Sequence, residues 1–359
     1  MADVEFLKVP QLHEWALPAH GLKVETVDAH AGGHPLRLII SGLPAPPGRT
    51  MLERQNFAQE HYDHLRKALL FEPRGHPEMY GCLLTPPEKS GSHFGVLFMH
   101  RGGFGPLCGH GVIALTTILL ECGLVEMKAP ETRLRIDTAA GMIRAYGQVV
   151  GNQVDRVFFE NLPAYAVANG RRLEVPELGK VEYDLGFGGA LFAFVKAGSV
   201  GLDLSAGNSE KILAAGRLIA KSIQQERLRV GSNPDDAGPA NPGRLFGVVF
   251  EDTPGARRAG EIDARLVGVF AEECIDRSPG GMAMCAKMAL LSADGKLDEG
   301  EGWVAEGITG STFRGHIVER QTVSQGCGVV CEIEGQAWIT GRHTFFIAAD
   351  DPFRSGFLI

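Results

Sequence analysis

Long apolar runs are scarce in this chain of 359 residues. The longest, from Val112 to Leu120, is interrupted by two threonines and falls well short of the roughly 20 residues that a bilayer-spanning helix needs, so no membrane partner is expected. Positive charge is also short. Thirty-five Lys and Arg stand against 43 Asp and Glu, a net charge of −8, whereas a general binder of phosphate backbones carries a basic face; nucleic acid is not an expected partner. Asp3 and Glu5 stand where a secretory leader has its basic region. The seven cysteines, Cys82, Cys108, Cys122, Cys274, Cys285, Cys327 and Cys331, are odd in number and scattered. A chain this long buries its own core without covalent staples, and the expectation is a soluble, cytoplasmic protein with reduced thiols. Cys327 and Cys331 have no second Cys or His pair at zinc spacing, so no metal is expected.

What the chain has in excess is glycine. The 47 Gly, with 20 Pro and no collagen-like period, predict many turns and places where backbones approach closely. Short β segments broken by Gly and Pro are predicted at 36–40, 95–100, 133–137, 156–160, 190–196, 245–250, 267–270, 329–333 and 344–348. Helical patterns cover 51–70, 109–122, 209–225 and 281–293.

Two of these helices belong to an internal repeat. At an offset of 172 residues Phe98 falls on Phe270, Gly109 on Gly281, Ala114 on Ala286, Leu119 on Leu291 and Gly123 on Gly295. Each copy therefore runs strand, loop, helix and glycine stop. Both helices are apolar nearly all round, so each should be wrapped by sheet. Their first turns are small or glycine-rich. Unpaired amides at a helix start, with the positive end of the dipole behind them, hold a carboxylate or a phosphate, and two such ends facing one another would clamp one small anion. Cys108 directly precedes the first helix, followed by Gly109-His110-Gly111. A thiol there is expected to have its pKa lowered by the helix start and His110. The matching position in the second copy is Gly280, preceded by Asp276-Arg277-Ser278-Pro279. Cys285 lies about 500° of rotation further along its helix and belongs to the core.

Phe98-Met-His-Arg-Gly-Gly-Phe-Gly-Pro-Leu-Cys-Gly-His-Gly111 and Asp276-Arg-Ser-Pro-Gly280 resemble the two signature segments of the proline racemase family. That family includes 4-hydroxyproline epimerases and trans-3-hydroxy-L-proline dehydratases. Asp28-Ala-His-Ala-Gly-Gly-His-Pro-Leu-Arg37, Glu72-Pro-Arg-Gly-His76, Asp137-Thr-Ala-Ala-Gly141, Gly310-Ser-Thr-Phe-Arg-Gly315 and Asp351-Pro-Phe-Arg-Ser-Gly-Phe357 are similar to further landmarks of it. The resemblance spans about residues 22–359.

It implies an α+β, diaminopimelate-epimerase-like fold of two pseudo-symmetric halves, each a β-sheet around a central helix, with the site between them and no cofactor. The halves are expected at 1–150, completed by 340–359, and at 151–339. By resemblance, Cys108 is the catalytic thiol, and amides at Gly109, His110, Gly281 and Met282 hold the substrate carboxylate. Asp276 holds the ring amine, and Tyr80 and Phe270 form an aromatic wall. The chain departs from the pattern where the second catalytic cysteine is replaced by Gly280. Two-base inversion then lacks one acid–base group, which typically contributes 10²–10⁴-fold. The dehydratase branch, in which that cysteine is also replaced, is the closer match. It implies dehydration of trans-3-hydroxy-L-proline to Δ1-pyrroline-2-carboxylate, with a water in the space beside Gly280 as acid. Epimerisation or racemisation with such a water, a non-catalytic imino-acid binder and a cysteine hydrolase stay open as alternatives, as does a homodimer.

Overall fold

The computed structural model describes residues 21–229, 243–252, 261–270, 274–324 and 326–359. The described chain begins with a hairpin, β1 (Leu22–Ala31) and β2 (His34–Ser41). Helices α1 (Met51–His61) and α2 (Asp63–Leu70) follow, then β3 (Tyr80–Thr85), β4 (Phe94–His100), the short β5 (Gly103–Gly105) and helix α3 (Gly109–Glu121). β6 (Glu131–Thr138), β7 (Gly141–Val150) and β8 (Gln153–Glu160) come next. The plan then repeats: β9 (Ala164–Val175), β10 (Gly179–Phe187), β11 (Leu191–Lys196), α4 (Ser209–Arg229), β12 (Leu245–Asp252), β13 (Ala264–Phe270) and α5 (Gly281–Ala293). β14 (Gly302–Glu306), β15 (Thr312–Val323) and β16 (Gly326–Gly335) end the second copy, and β17 (Ala337–Ile347) returns to the first.

Strand pairing makes the repeat explicit. In the first half the order is β17–β1–β2–β3–β4–β6–β7–β8, with β2–β3 and β4–β6 parallel and the other pairs antiparallel. In the second it is β9–β10–β11–β12–β13–β14–β15–β16, with β11–β12 and β13–β14 parallel. The parallel steps fall at the same places in both. The second ring closes through β16 on β9, and β16 also pairs with β8, which joins the rings.

Each ring surrounds one apolar helix. From Gly109 to Leu120 every residue of α3 is buried, and so is nearly all of α5. A helix without a polar face has nowhere else to go in water. Lys287 of α5 is buried too, with its Nζ 2.6 Å from Glu251 Oε2. Gly123 and Gly295 stop the two helices at φ +73° and +67°, a conformation that costs glycine little. One hydrophobic core holds residues of both helices; a second forms under α4 and a third under α1 and α2.

Two details differ from the sequence-based expectation. The helix predicted over 51–70 is two helices, broken at Tyr62, which serves as C-cap of α1 and N-cap of α2. Strands β1, β3, β5, β7, β9, β10, β14 and β15 lie outside the predicted β segments. The boundary at 150/151 falls at the tip of the β7–β8 hairpin, and β8 still pairs with β7. We place the passage between the halves after β8, at 161–163. No helix among the described residues is long and apolar enough to cross a membrane.

Candidate active site

The starts of α3 and α5 meet backbone to backbone. A Cβ on Gly109 would lie 3.0 Å from Gly281 Cα, and one on Gly281 would lie 3.2 Å from Gly109 Cα. Only glycine at both positions allows so close an approach. Around this junction is a small cavity. Cys108, Gly109, His110, Tyr80, Phe270, Asp276, Gly280, Gly281 and Met282 all line it, so every site residue expected from the sequence is brought to one place. Tyr80 begins β3 and Phe270 ends β13, and their rings are 6.4 Å apart. The rest of the wall is Phe98, His100, Leu107, Phe192, Phe246 and Ala283. Phe98 and His100 lie inside a motif quoted above, but nothing in the sequence says which side chains of that motif turn inward. Phe192 and Phe246 come from β11 and β12 and carry no local signal.

Cys108 is the N-cap of α3, at φ −149°. Its Sγ lies 3.4 Å from His110 Nδ1 and accepts from the Gly111 amide. Burial nevertheless pushes the thiol well above its ordinary range, the Gly111 amide pulling down and the Asp276 carboxylate adding to the rise. The expected lowering is therefore not seen. Removal from water outweighs the helix start, and His110 adds no positive charge. Burial holds that imidazole neutral, with a pKa of about 3, while it donates to the Pro35 carbonyl.

Asp276 enters from the other half. Its Oδ1 accepts from the Ser278 amide at 2.9 Å and the Ser278 hydroxyl at 2.8 Å. Burial raises its pKa to about 6 against these two donors. His34 Nδ1 stands 3.5 Å from the same oxygen, but it accepts the Arg277 amide at 3.1 Å and burial keeps the ring well below its usual pKa. We therefore do not count the contact as an ion pair. His34, unpredicted as a site residue, packs edge-on against His110 and Tyr80, at 4.4 and 4.9 Å, so one ring touches parts of the site from both halves. Donor atoms of His34, His110 and Asp276 lie within 4.8 Å of one another. Of these, His34 Nδ1 accepts the Arg277 amide, Asp276 Oδ1 is held by Ser278 and His110 is bonded to Pro35, while the buried His34 Nε2 has no hydrogen-bond partner among the described residues.

Gly280 caps α5 as Cys108 caps α3, but at φ +82° and ψ 93°. A side chain is disfavoured there by the backbone alone. A Cβ would also lie 3.3 Å from Asp276 Oδ2 and 3.2 Å from Ala283 Cβ. The site thus pairs a thiol at one helix cap with a position built for glycine at the other. A carboxylate and two helix starts, groups of opposite electrostatic character, face the same cavity.

A sequence model of the family described as proline racemase matches residues 26–358. Over 346 residues the chain is 37% identical to a trans-L-3-hydroxyproline dehydratase of Xenopus tropicalis, covering 96% of this chain and 97% of the relative. It is also 37% identical to a 4-hydroxyproline 2-epimerase of Streptosporangium roseum, over 93% of this chain and 97% of the relative. A hydroxyproline epimerase from Agrobacterium vitis, solved with trans-4-hydroxy-L-proline bound, superposes with a TM-score of 0.85 at 28% identity, covering 94% of this chain and 95% of the other. The repeated ring-and-helix plan, the two facing helix starts and these matches together establish that the chain belongs to the proline racemase family.

Proposed function

We propose that this protein dehydrates trans-3-hydroxy-L-proline to Δ1-pyrroline-2-carboxylate without a cofactor, with Cys108 as its single base. The observation that carries the reading is the asymmetry of the two helix caps: a thiol on α3, and on α5 a glycine at φ +82°. Relatives named for this dehydration support it.

In a trans-3-hydroxyproline ring the hydroxyl is across from the carboxylate, and so on the same face as the Cα hydrogen. One group on that face reaches both. The Cys108 thiolate takes the Cα proton, the C3–O bond breaks, and the thiol returns that proton to the departing hydroxide as water. The enamine left behind tautomerises to the pyrroline. Nothing is required of the Gly280 face, and the water expected there from the sequence has no role in this scheme. Amides at Gly109, His110, Gly281 and Met282 hold the carboxylate, Asp276 the ring ammonium, and Tyr80 and Phe270 bracket the ring. The ammonium also stands near the buried thiol and favours its ionisation.

The test is product analysis with each 3-hydroxyproline isomer. Pyrroline-2-carboxylate should form from the trans-L isomer and fall by about 10²–10⁴-fold or more in Cys108→Ala. The cis isomer, with its hydroxyl on the other face, should react at least about 10²-fold more slowly. No product from any 3-hydroxyproline would overturn the reading. Cα inversion of 4-hydroxyproline in D₂O would instead favour an epimerase, the activity named for the Streptosporangium relative.

A further inference from the structure

We propose that His100 is the hydrogen-bond donor that recognises the ring hydroxyl and so selects a hydroxylated imino acid over proline; this rests on the dehydratase reading. His100 ends β4, eight residues before Cys108, and lines the same cavity. It is the polar wall residue that the scheme above does not use. Its Nδ1 accepts the Gly102 amide at 3.1 Å, so in the neutral ring the proton sits on Nε2. Burial keeps it neutral, lowering its pKa to about 4, with Arg66 contributing.

The ring is held in place. It stacks on Tyr80 at 5.5 Å and meets Phe246 edge to face at 6.1 Å, and both neighbours line the cavity. The Nε2 edge is kept clear by Gly105, where a Cβ would lie 3.2 Å from both Nε2 and Cδ2. Most other wall side chains are apolar, namely Phe98, Leu107, Phe192, Phe246, Phe270 and Met282. A donor fixed in one tautomer, in a mostly apolar wall on the half that carries Cys108, suits a hydroxyl oxygen on the Cys108 face of the ring. The Nε2–H bonds to that oxygen and stabilises negative charge on it as C3–O breaks. Its own proton stays in place, and the proton that completes the water is the one Cys108 took from Cα.

Binding of trans-3-hydroxy-L-proline and of L-proline, measured by calorimetry in a Cys108→Ala background, tests this without turnover. The expected result is a preference for the hydroxylated ligand that His100→Phe reduces about tenfold while leaving L-proline affinity within about twofold, the worth of one neutral hydrogen bond. His100→Gln, which keeps a donor, should retain part of the preference. An unchanged preference in His100→Phe overturns the proposal, as does an equal loss for both ligands, which would mean a structural role. Should Cys108→Ala fail to fold, Cys108→Ser takes its place. Pyrroline formation by the native chain is scored separately. Hydroxyl selectivity through His100 with no pyrroline would refute dehydration and leave the subsite standing.

Discussion

Asp276 is a carboxylate at odds with its surroundings. With its pKa raised from 3.8 to about 6 by burial, ionising it near neutral pH costs the protein on the order of 3 kcal/mol, which a bound ammonium would offset. The sign for stability follows from the raised value: this residue favours the fold most below about pH 4, and the contribution is lost as pH rises through about 6. Asp276→Asn should therefore be as stable as the parent or more so at pH 8, and the gap should shrink as pH falls to 5, as thermal unfolding at the two pH values would reveal. The same variant should lose activity, and kcat/KM of the parent should fall below about pH 6, where the anchor for the ammonium is neutralised. His100 and His110 act in the opposite sense. Held neutral at about 4 and 3, they stabilise the fold above about pH 6.5, and that contribution is lost as pH falls through their folded values. Comparing parent and Asp276→Asn at each pH cancels these histidine contributions.

At the scale of elements, the two central helices are placed by what their first residues lack. Adding a methyl at Gly109 would press on the backbone of Gly281 and Met282 at 3.0 and 3.2 Å. Neither partner is a flexible side chain. Gly109→Ala should cost about 1–3 kcal/mol and lower kcat as the helix starts part, measured by denaturant unfolding beside steady-state kinetics. Gly280→Cys asks a different question, whether a second thiol restores inversion. The backbone at φ +82° makes a side chain there cost about 1–2 kcal/mol. We expect no gain of Cα inversion with 4-hydroxyproline or proline, read by chiral chromatography. Appearance of inversion would mean that the α5 cap relaxes to the geometry of the α3 cap.

At the scale of the whole molecule, the halves are tied beside the site. Arg277 Nη2 meets Glu78 Oε2 at 2.9 Å, Thr309 and Ser311 donate to the Gly32 carbonyl at 3.1 and 3.0 Å, and the Arg277 amide reaches His34. His76 and Arg277 hold Glu78 at about 2, so the Arg277 pair persists across the working pH range. Being partly exposed, it should contribute less than about 1 kcal/mol to stability. Its effect should instead show on the loop that carries Asp276: Glu78→Gln should raise KM several-fold with little change in melting temperature. The first ring also depends on the far end of the chain, because β17 pairs with β1 from Ala31 to Leu22. Removing residues 337–359 should leave β1 without that partner and α3 without one wall, giving a protease-sensitive product rather than a smaller domain.

Much of this was legible in the chain because it rests on local rules. Gly123 and Gly295 mark helix ends, the apolar girth of α3 and α5 calls for wrapping, and the 172-residue offset pairs Cys108 with Gly280. The motifs also point to the residues that gather around the cavity. The weakly patterned strands were not legible: β9, for example, has exposed residues in its middle and no clean alternation. Nor was the thiol's ionisation. A helix start lowers a thiol pKa in water, but Cys108 is buried in a cavity whose wall residues Tyr80, Phe98, Phe192 and Phe270 arrive from four different strands. The sequence by itself determined the repeat, the helix ends and the identity of the two caps, since each depends on neighbours a few residues away. Only the tertiary structure decided the backbone angle at Gly280, the contact of Gly109 with Gly281 and the inward turn of His34 and His100, because those depend on what the other half places against them.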